Sequence, residues 1–136
     1  MIEEIYSNKI LIAQKYNLND VENTNFPTPS ETTFQFGVGV AKEKKILAPH
    51  IHKRVERTID TTSEFLYVLN GTMSVDIYDE KEIFIKKIIL KNNECLLQFI
   101  GGHAITLEKN TKYFEIKQGP YYGRDFDKYD LKVDNE

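Results

Sequence analysis

The chain has 136 residues, enough for one domain, and 40% of them are apolar, with eight Phe and eight Tyr, so a core can be buried. The net charge is −3, basic residues are not clustered enough for a nucleic-acid surface, and no apolar run approaches the roughly 18 residues of a membrane-spanning helix. The acidic N-terminus lacks the pattern of a secretory signal and Cys95 is the only cysteine, so we expect a cytoplasmic protein that binds neither nucleic acid nor membrane.

The first third of the chain gives mixed signals. Residues 10–13 fit either a strand or a short helix, and the pattern does not decide between them. Residues 17–32 hold Pro27 and Pro29 among Asn, Asp and Ser, and this composition predicts a long loop. Residues 33–40 alternate apolar and polar side chains well enough to predict a strand.

From residue 64 onward the chain is typical of short strands separated by turn residues. We predict strands over residues 64–70, 72–79, 83–90, 95–100, 103–107 and 112–117. Asn70 and Gly71 tolerate positive φ and predict a tight hairpin between the first two strands. Residues 119–136 show no clean period. The prediction is an all-β sandwich or barrel without a helix of any length.

The histidines suggest a metal site. His50 and His52 are separated by one residue, and in a strand such side chains point to the same face about 7 Å apart, so both can reach one ion. A chance pair on the surface is the competing interpretation. Glu64 opens the next clear strand, and His103 follows two glycines before a later one. Three histidines and one carboxylate suit a divalent Fe, Mn, Ni, Co, Cu or Zn ion, and an octahedral ion would keep two positions open, as catalytic metals do.

These residues resemble motifs of the cupin superfamily. Pro-His-Ile-His at residues 49–52, followed by Glu-Phe-Leu-Tyr-Val-Leu-Asn-Gly at 64–71, is similar to the first cupin motif. Gly-Gly-His at residues 101–103 is similar to part of the second, and residues 112–121 resemble the closing strand of small bacterial single-domain cupins found near polysaccharide- or sugar-modifying genes.

The resemblance covers about residues 33–121 of a single domain spanning 1–136. It implies a double-stranded β-helix, or jelly-roll, barrel with the metal inside. It also implies a homodimer, and residues 10–13 are our candidate segment for exchange at a sheet edge.

The gap between the motif histidines and the glutamate is longer here than in cupins. Eleven residues separate His52 from Glu64, whereas Glu56 lies at the shorter spacing and is a rival ligand. We prefer Glu64 because only Glu64 has a strand around it and Gly71 at the expected distance. Residues 53–63 then become a loop over the barrel mouth.

Strand parity predicts the lining of the pocket. Ala48, Leu66 and Val68 point inward with the ligands, and Tyr67 points outward. Gln98, a polar residue in an apolar strand, either binds a metal-bound water or substrate or satisfies a buried backbone group.

Four charged residues are candidates for contacts with a substrate. Arg54 and Arg57 can clamp a carboxylate or phosphate, although a solvated charged loop is the interpretation we favour. Glu115 and Lys117 are catalytic acid or base candidates if their face of the last strand lines the barrel. We favour the alternative, in which Phe114 and Ile116 face the core and these two lie on the wet side.

The predicted function is that of a metal-binding cupin that acts as a metalloenzyme on a small polar molecule such as a sugar derivative. An isomerase or epimerase, a lyase and a dioxygenase all fit the ligand set. The alternative is a non-catalytic small-molecule-binding module, because one fold carries many unrelated chemistries.

Overall fold

The computed structural model describes residues 2–132, which form an all-β fold of two antiparallel sheets. The strands are β1 (Ile2–Ser7), β2 (Ile10–Asn17), β3 (Glu64–Asn70), β4 (Met73–Tyr78), β5 (Phe84–Leu90), β6 (Glu94–Gln98), β7 (Gly102–Leu107) and β8 (Lys112–Lys117). A 3-10 turn (Leu18–Asp20) follows β2, and a short helix, α1 (Arg124–Asp127), lies near the C-terminus. Neither helical segment in this part of the chain has the length and apolar character needed to cross a membrane. The predicted C-terminal tail is described as far as residue 132, and its last four residues lie outside the described part.

The larger sheet has the strand order β1-β2-β6-β3-β8 and the smaller sheet the order β5-β4-β7. The tight hairpin predicted at Asn70 and Gly71 is wrong, because β3 and β4 lie in different sheets. Each of these strands already has neighbours on both sides: β3 pairs with β6 and β8, and β4 pairs with β5 and β7. Gly71, with φ of 106°, turns the chain from one sheet to the other.

The main core lies between the sheets and follows strand alternation. Its buried side chains are Ile5, Ile12, Ala13, Leu66, Val68, Met73, Val75, Ile77, Ile88, Leu90 and Leu96. Each buried Leu, Ile, Val or Met contributes about 1.5 to 3 kcal/mol relative to an exposed one. The predicted inward orientation of Leu66 and Val68 and the outward orientation of Tyr67 are confirmed.

A second apolar cluster covers the outer face of the larger sheet. Tyr16, Cys95, Leu97 and Phe99 are buried there. The Phe36 ring, from the irregular segment after β2, lies 4.7 Å from the Tyr16 ring. Both faces at the centre of this sheet are therefore covered, which explains the nearly unbroken apolar run in β6.

The segment between β2 and β3 contains no strand. The prediction of a loop over residues 17–32 is confirmed apart from Asn17, which ends β2, and the 3-10 turn, but the strand predicted over residues 33–40 is wrong. Val38 makes one isolated bridge to Asn25, and the aromatic side chains near it pack on the outer cluster instead of pairing through their backbone. Residues 41–60, which we call the arm, are exposed throughout and have neither helix nor strand.

The two ends of the sheet pair differ. At one end β5 contacts the larger sheet through an ion pair between Lys86 and Glu3, and Lys15 Nζ donates to Ile89 O at 2.8 Å. At the other end β7 and β8 each have a strand on one side only. We call the edges of β7 and β8 the open end.

Candidate functional site

Glu64 and His103 meet between the two sheets near the open end. Glu64 is the first residue of β3 and shares its face with Leu66 and Val68. His103, in β7, is the register partner of buried Ile77 and therefore points to the same inter-sheet space. Glu64 Oε2 lies 3.2 Å from His103 Nε2, and the two side chains are 15% and 26% exposed.

Gln98 fixes the orientation of His103. Its Nε2 donates to Ile100 O at 3.1 Å and to Gly102 O at 3.0 Å, so both amide hydrogens are used. Its Oε1 lies 3.0 Å from His103 Nδ1 and can only accept, so Nδ1 carries the ring hydrogen. In the neutral imidazole, Nε2 then carries no hydrogen, and its lone pair lies on the side of Glu64. Gln98 thus binds two carbonyls of partly buried residues, which resembles one of its two predicted roles, and also positions a histidine.

The surroundings of the Glu64 carboxyl group disfavour its charged form. Burial raises its pKa above the ordinary value of 4.5, and the neighbouring His103 opposes this rise in part. Oε2 is buried and has no hydrogen-bond partner, because His103 Nε2 is close but not aligned for a hydrogen bond. A carboxylate oxygen and an imidazole lone pair at this distance require a positive species beside them, either a proton or a cation.

The geometry of this pair fits two ligands of one metal ion. Bonds of about 2.1 Å place neighbouring ligand atoms about 3.0 to 3.4 Å apart in octahedral or tetrahedral coordination. The Glu64–His103 separation of 3.2 Å falls in that interval, and both atoms can point at a common third position instead of at each other. A ligating histidine also usually donates its other ring N–H to an oxygen acceptor, as His103 does to Gln98.

The other two predicted ligands lie elsewhere. His50 and His52 are exposed on the arm, with ring centroids 5.2 Å apart, and His50 Nδ1 lies 3.0 Å from Ala48 O. Within residues 2–132, no group of three or more His, Cys, Asp or Glu side chains is close enough together to hold a metal. The four predicted ligands therefore form two separate pairs, Glu64 with His103 between the sheets and His50 with His52 on the exposed arm.

The remaining candidates on the arm are also in solvent. Glu56, the rival ligand, is exposed, so the structure brings Glu64 and not Glu56 next to His103. Arg54 and Arg57 are exposed, and Arg57 donates to Val55 O at 3.4 Å. Ala48, predicted to point inward, is exposed as well.

Glu115 and Lys117 face the space between the sheets. In the β3–β8 register Glu115 pairs with Leu66 and Lys117 with Glu64, and paired residues share a face. The orientation we favoured from the sequence is therefore wrong. Phe114, which we expected to face the core, instead stacks on Tyr67 on the outer face of the sheet, where aromatic neighbours are available.

Both charged residues of β8 remain reachable by solvent because nothing lies opposite them at the open end. Glu115 is exposed, and Lys117 Nζ lies 3.0 Å from Asp127 Oδ2. The hydrogen bond to Asp127 raises the pKa of Lys117, which keeps this ammonium group charged at neutral pH. Asp127 was missed by sequence reasoning, since the C-terminal tail has no periodic pattern to mark it.

A pocket of about 250 Å³ adjoins Lys117 and Asp127. It is lined by the end of the arm, by the turn after β8 and by the C-terminal tail, namely Ile59, Asp60, Thr61, Thr62, Gln118, Gly119, Pro120, Tyr122, Phe126 and Asp127. The side-chain oxygen of Gln118 is buried without a hydrogen-bond partner. The pocket therefore combines apolar walls with polar groups, as small-molecule sites do.

Comparison of the chain with protein-family models, curated proteins and solved structures gave no match. The resemblance to cupins therefore stays a prediction that depends on the motif residues themselves.

Proposed function

We propose that this chain is a metal-binding protein of the cupin type, in which Glu64 and His103 ligate one divalent transition metal, Fe, Mn, Ni, Co, Cu or Zn. The observation that carries the proposal is the contact between these two partly buried side chains. Glu64 Oε2 and His103 Nε2 lie 3.2 Å apart without the alignment of a hydrogen bond, and Gln98 engages Nδ1 of the histidine. His50 and His52 complete the ligand set when the arm approaches the site.

The chain path supports a jelly-roll architecture. After the crossing from β3 to β4, the chain pairs β4 with β5, returns to the larger sheet for β6, crosses to β7 and returns for β8. Such winding between two facing antiparallel sheets is compatible with a jelly roll in which the arm, between β2 and β3, forms no strand.

The residues around the pair favour a small polar substrate, such as a sugar derivative. When bound, the metal supplies a Lewis acid that polarises a carbonyl or hydroxyl oxygen. Lys117, held charged by Asp127, donates hydrogen bonds to oxygens of the substrate, and Glu115 can accept a proton at the open end. Isomerase or epimerase, lyase and dioxygenase reactions all remain compatible with this arrangement.

Metal content tests the proposal. Protein purified without a histidine tag and reconstituted with metal should hold about one equivalent per chain by inductively coupled plasma mass spectrometry. Glu64→Gln should lose most of the metal, because it removes the only charged ligand.

Glu56→Gln is the matched control, since it makes the same substitution on the exposed arm. It should keep the metal of the wild-type protein. A wild-type protein that takes up no metal would refute the proposal, and a loss confined to Glu56→Gln would move the carboxylate ligand to the arm.

A further inference from the structure

We propose that two copies of this chain form a dimer by exchanging arms, with residues 41–60 of each copy docked along the open end of the other. As a consequence that rests on the proposed function, His50 and His52 of one copy complete the metal site at Glu64 and His103 of the second copy.

The arm has the properties of a segment without its partner. All of its residues are exposed, and within residues 2–132 the arm takes part in no backbone–backbone hydrogen bond. Ile46, Leu47 and Ile51 are 84%, 70% and 94% exposed. Large apolar side chains on a backbone that makes no backbone–backbone hydrogen bonds are what a segment needs to add a strand to a sheet edge.

The open end has the matching properties. β7 and β8 offer unpaired backbone groups on their outer sides. Tyr113 of β8 shares its face with buried Val68 but is 43% exposed, because nothing covers it from the opposite sheet. Leu107, the last residue of β7, is exposed as well. The open end therefore lacks a strand and an apolar cover, and the arm can supply both.

The charges of the arm and of the remaining chain are complementary. The arm carries six Lys and Arg residues and three Asp and Glu residues, a net charge of +3, so the remainder of a chain with net charge −3 carries −6. Opposite net charges favour the encounter of an arm with the body of a second copy, and the attraction weakens with salt.

A second copy fits this surface better than the arm of the same copy. In the single chain the arm extends away from its own body, as the exposure of Ile46 and Ile51 shows. At the start of the arm, Lys42 Nζ donates a hydrogen bond to Asn23 Oδ1 at 3.3 Å. Each copy has one arm and one open end. Reciprocal exchange therefore covers the open end of both copies and closes at two.

Docking would also bring the histidine pair to the correct end of the molecule. Glu64 and His103 lie at the open end, where β3 and β7 face each other. When the arm becomes a strand, His50 and His52 point to the same side, and that side can face the Glu64–His103 pair.

The mass in solution, from sedimentation equilibrium on the full chain, tests the exchange without reference to metal. The wild-type protein should be a dimer, twice 15.9 kDa, and Ile51→Asp on the arm should be a folded monomer. Ile83→Asp is the matched control, because Ile83 is an exposed isoleucine in the turn between β4 and β5, outside the arm and the open end. It should remain a dimer. A monomeric wild-type protein, or dimers of Ile51→Asp, would overturn the proposal.

Mixed dimers test the shared site. A variant with His50→Ala and His52→Ala is coexpressed with a variant carrying Glu64→Gln and His103→Ala, neither of which binds metal alone. Arm exchange predicts about one quarter of the wild-type metal per chain, because half of the randomly formed dimers are mixed and each has one intact site. If the wild-type protein binds metal but the mixture does not, the exchange is refuted while the metal site stands. A dimer sensitive to Ile51→Asp but without metal would leave the exchange standing and refute the metal site.

Discussion

At the residue scale, the hydrogen bonds of buried polar residues are the most informative about the candidate site. Gln98 is buried in an apolar strand, where an unpaired amide would cost about 1 to 3 kcal/mol, yet all its hydrogen-bonding groups have partners. One of these partners is His103. The sequence marks Gln98 as unusual, but it does not reveal the bond to Nδ1, because that bond depends on how β6 and β7 approach each other across the sheets.

Cys95 illustrates the opposite case, a reactive residue type in an inert environment. It is fully buried, and burial raises the pKa of its thiol from 9.0 to about 12. We expect native protein at pH 8 to resist a thiol reagent that labels the unfolded chain completely. Rapid labelling of the native protein would contradict the burial of Cys95.

The same pKa shift predicts a loss of stability in alkali. Above pH 9 the unfolded chain releases the thiol proton while the folded chain keeps it up to about pH 12, so the free energy of unfolding falls as pH rises through this interval. Because of this thiol, the free energy of unfolding should be about 1.4 kcal/mol lower at pH 10 than at pH 8. Urea unfolding of wild-type protein and Cys95→Val at both pH values isolates this contribution. Equal losses in the two proteins would show that other groups cause the decrease.

The strands after residue 64 could be predicted at the element scale, and those before it could not. The last strand, Lys112–Lys117, is found at its predicted bounds, since it is rich in β-branched and aromatic residues and is flanked by turn residues. Residues 33–40 alternate equally well, but Phe34 and Phe36 bind the outer cluster of the larger sheet and leave the backbone unpaired. The sequence did not predict strand β1, because its acidic side chains obscure the alternation of apolar and polar residues.

The turn at Gly71 gives an element-scale prediction. Its φ is 106°, and a Cβ added there would lie 2.8 Å from Thr111 Cα. Gly71→Ala should therefore destabilise the protein by about 1 to 3 kcal/mol through backbone strain and a steric clash. Gly119→Ala is the control, since a Cβ at Gly119 meets no atom within 4 Å. Similar urea midpoints for Gly71→Ala and the wild-type protein would contradict the strained turn.

The all-β class was predictable for the whole molecule, whereas the relation between the arm and the sheets was not. Strand periodicity predicts which side chains face a core, and it correctly placed Leu66 and Val68 inward. Periodicity carries no information on which strands form the edges. The unpaired sides of β7 and β8 and the exposure of the arm are visible only in three dimensions.

The metal site at His103 is the central claim, and nitrogen NMR of the imidazole groups tests it most directly, because the chain has only three histidines. Without metal, Nδ1 of His103 should carry a hydrogen, as the bond to Gln98 requires. One equivalent of Zn²⁺ should then shift Nε2 of His103 together with a ring nitrogen of His50 and of His52. If Nδ1 of His103 carries no hydrogen, or if His103 stays unchanged while the other two histidines respond, the metal site proposed here is wrong, and His50 and His52 are a surface pair.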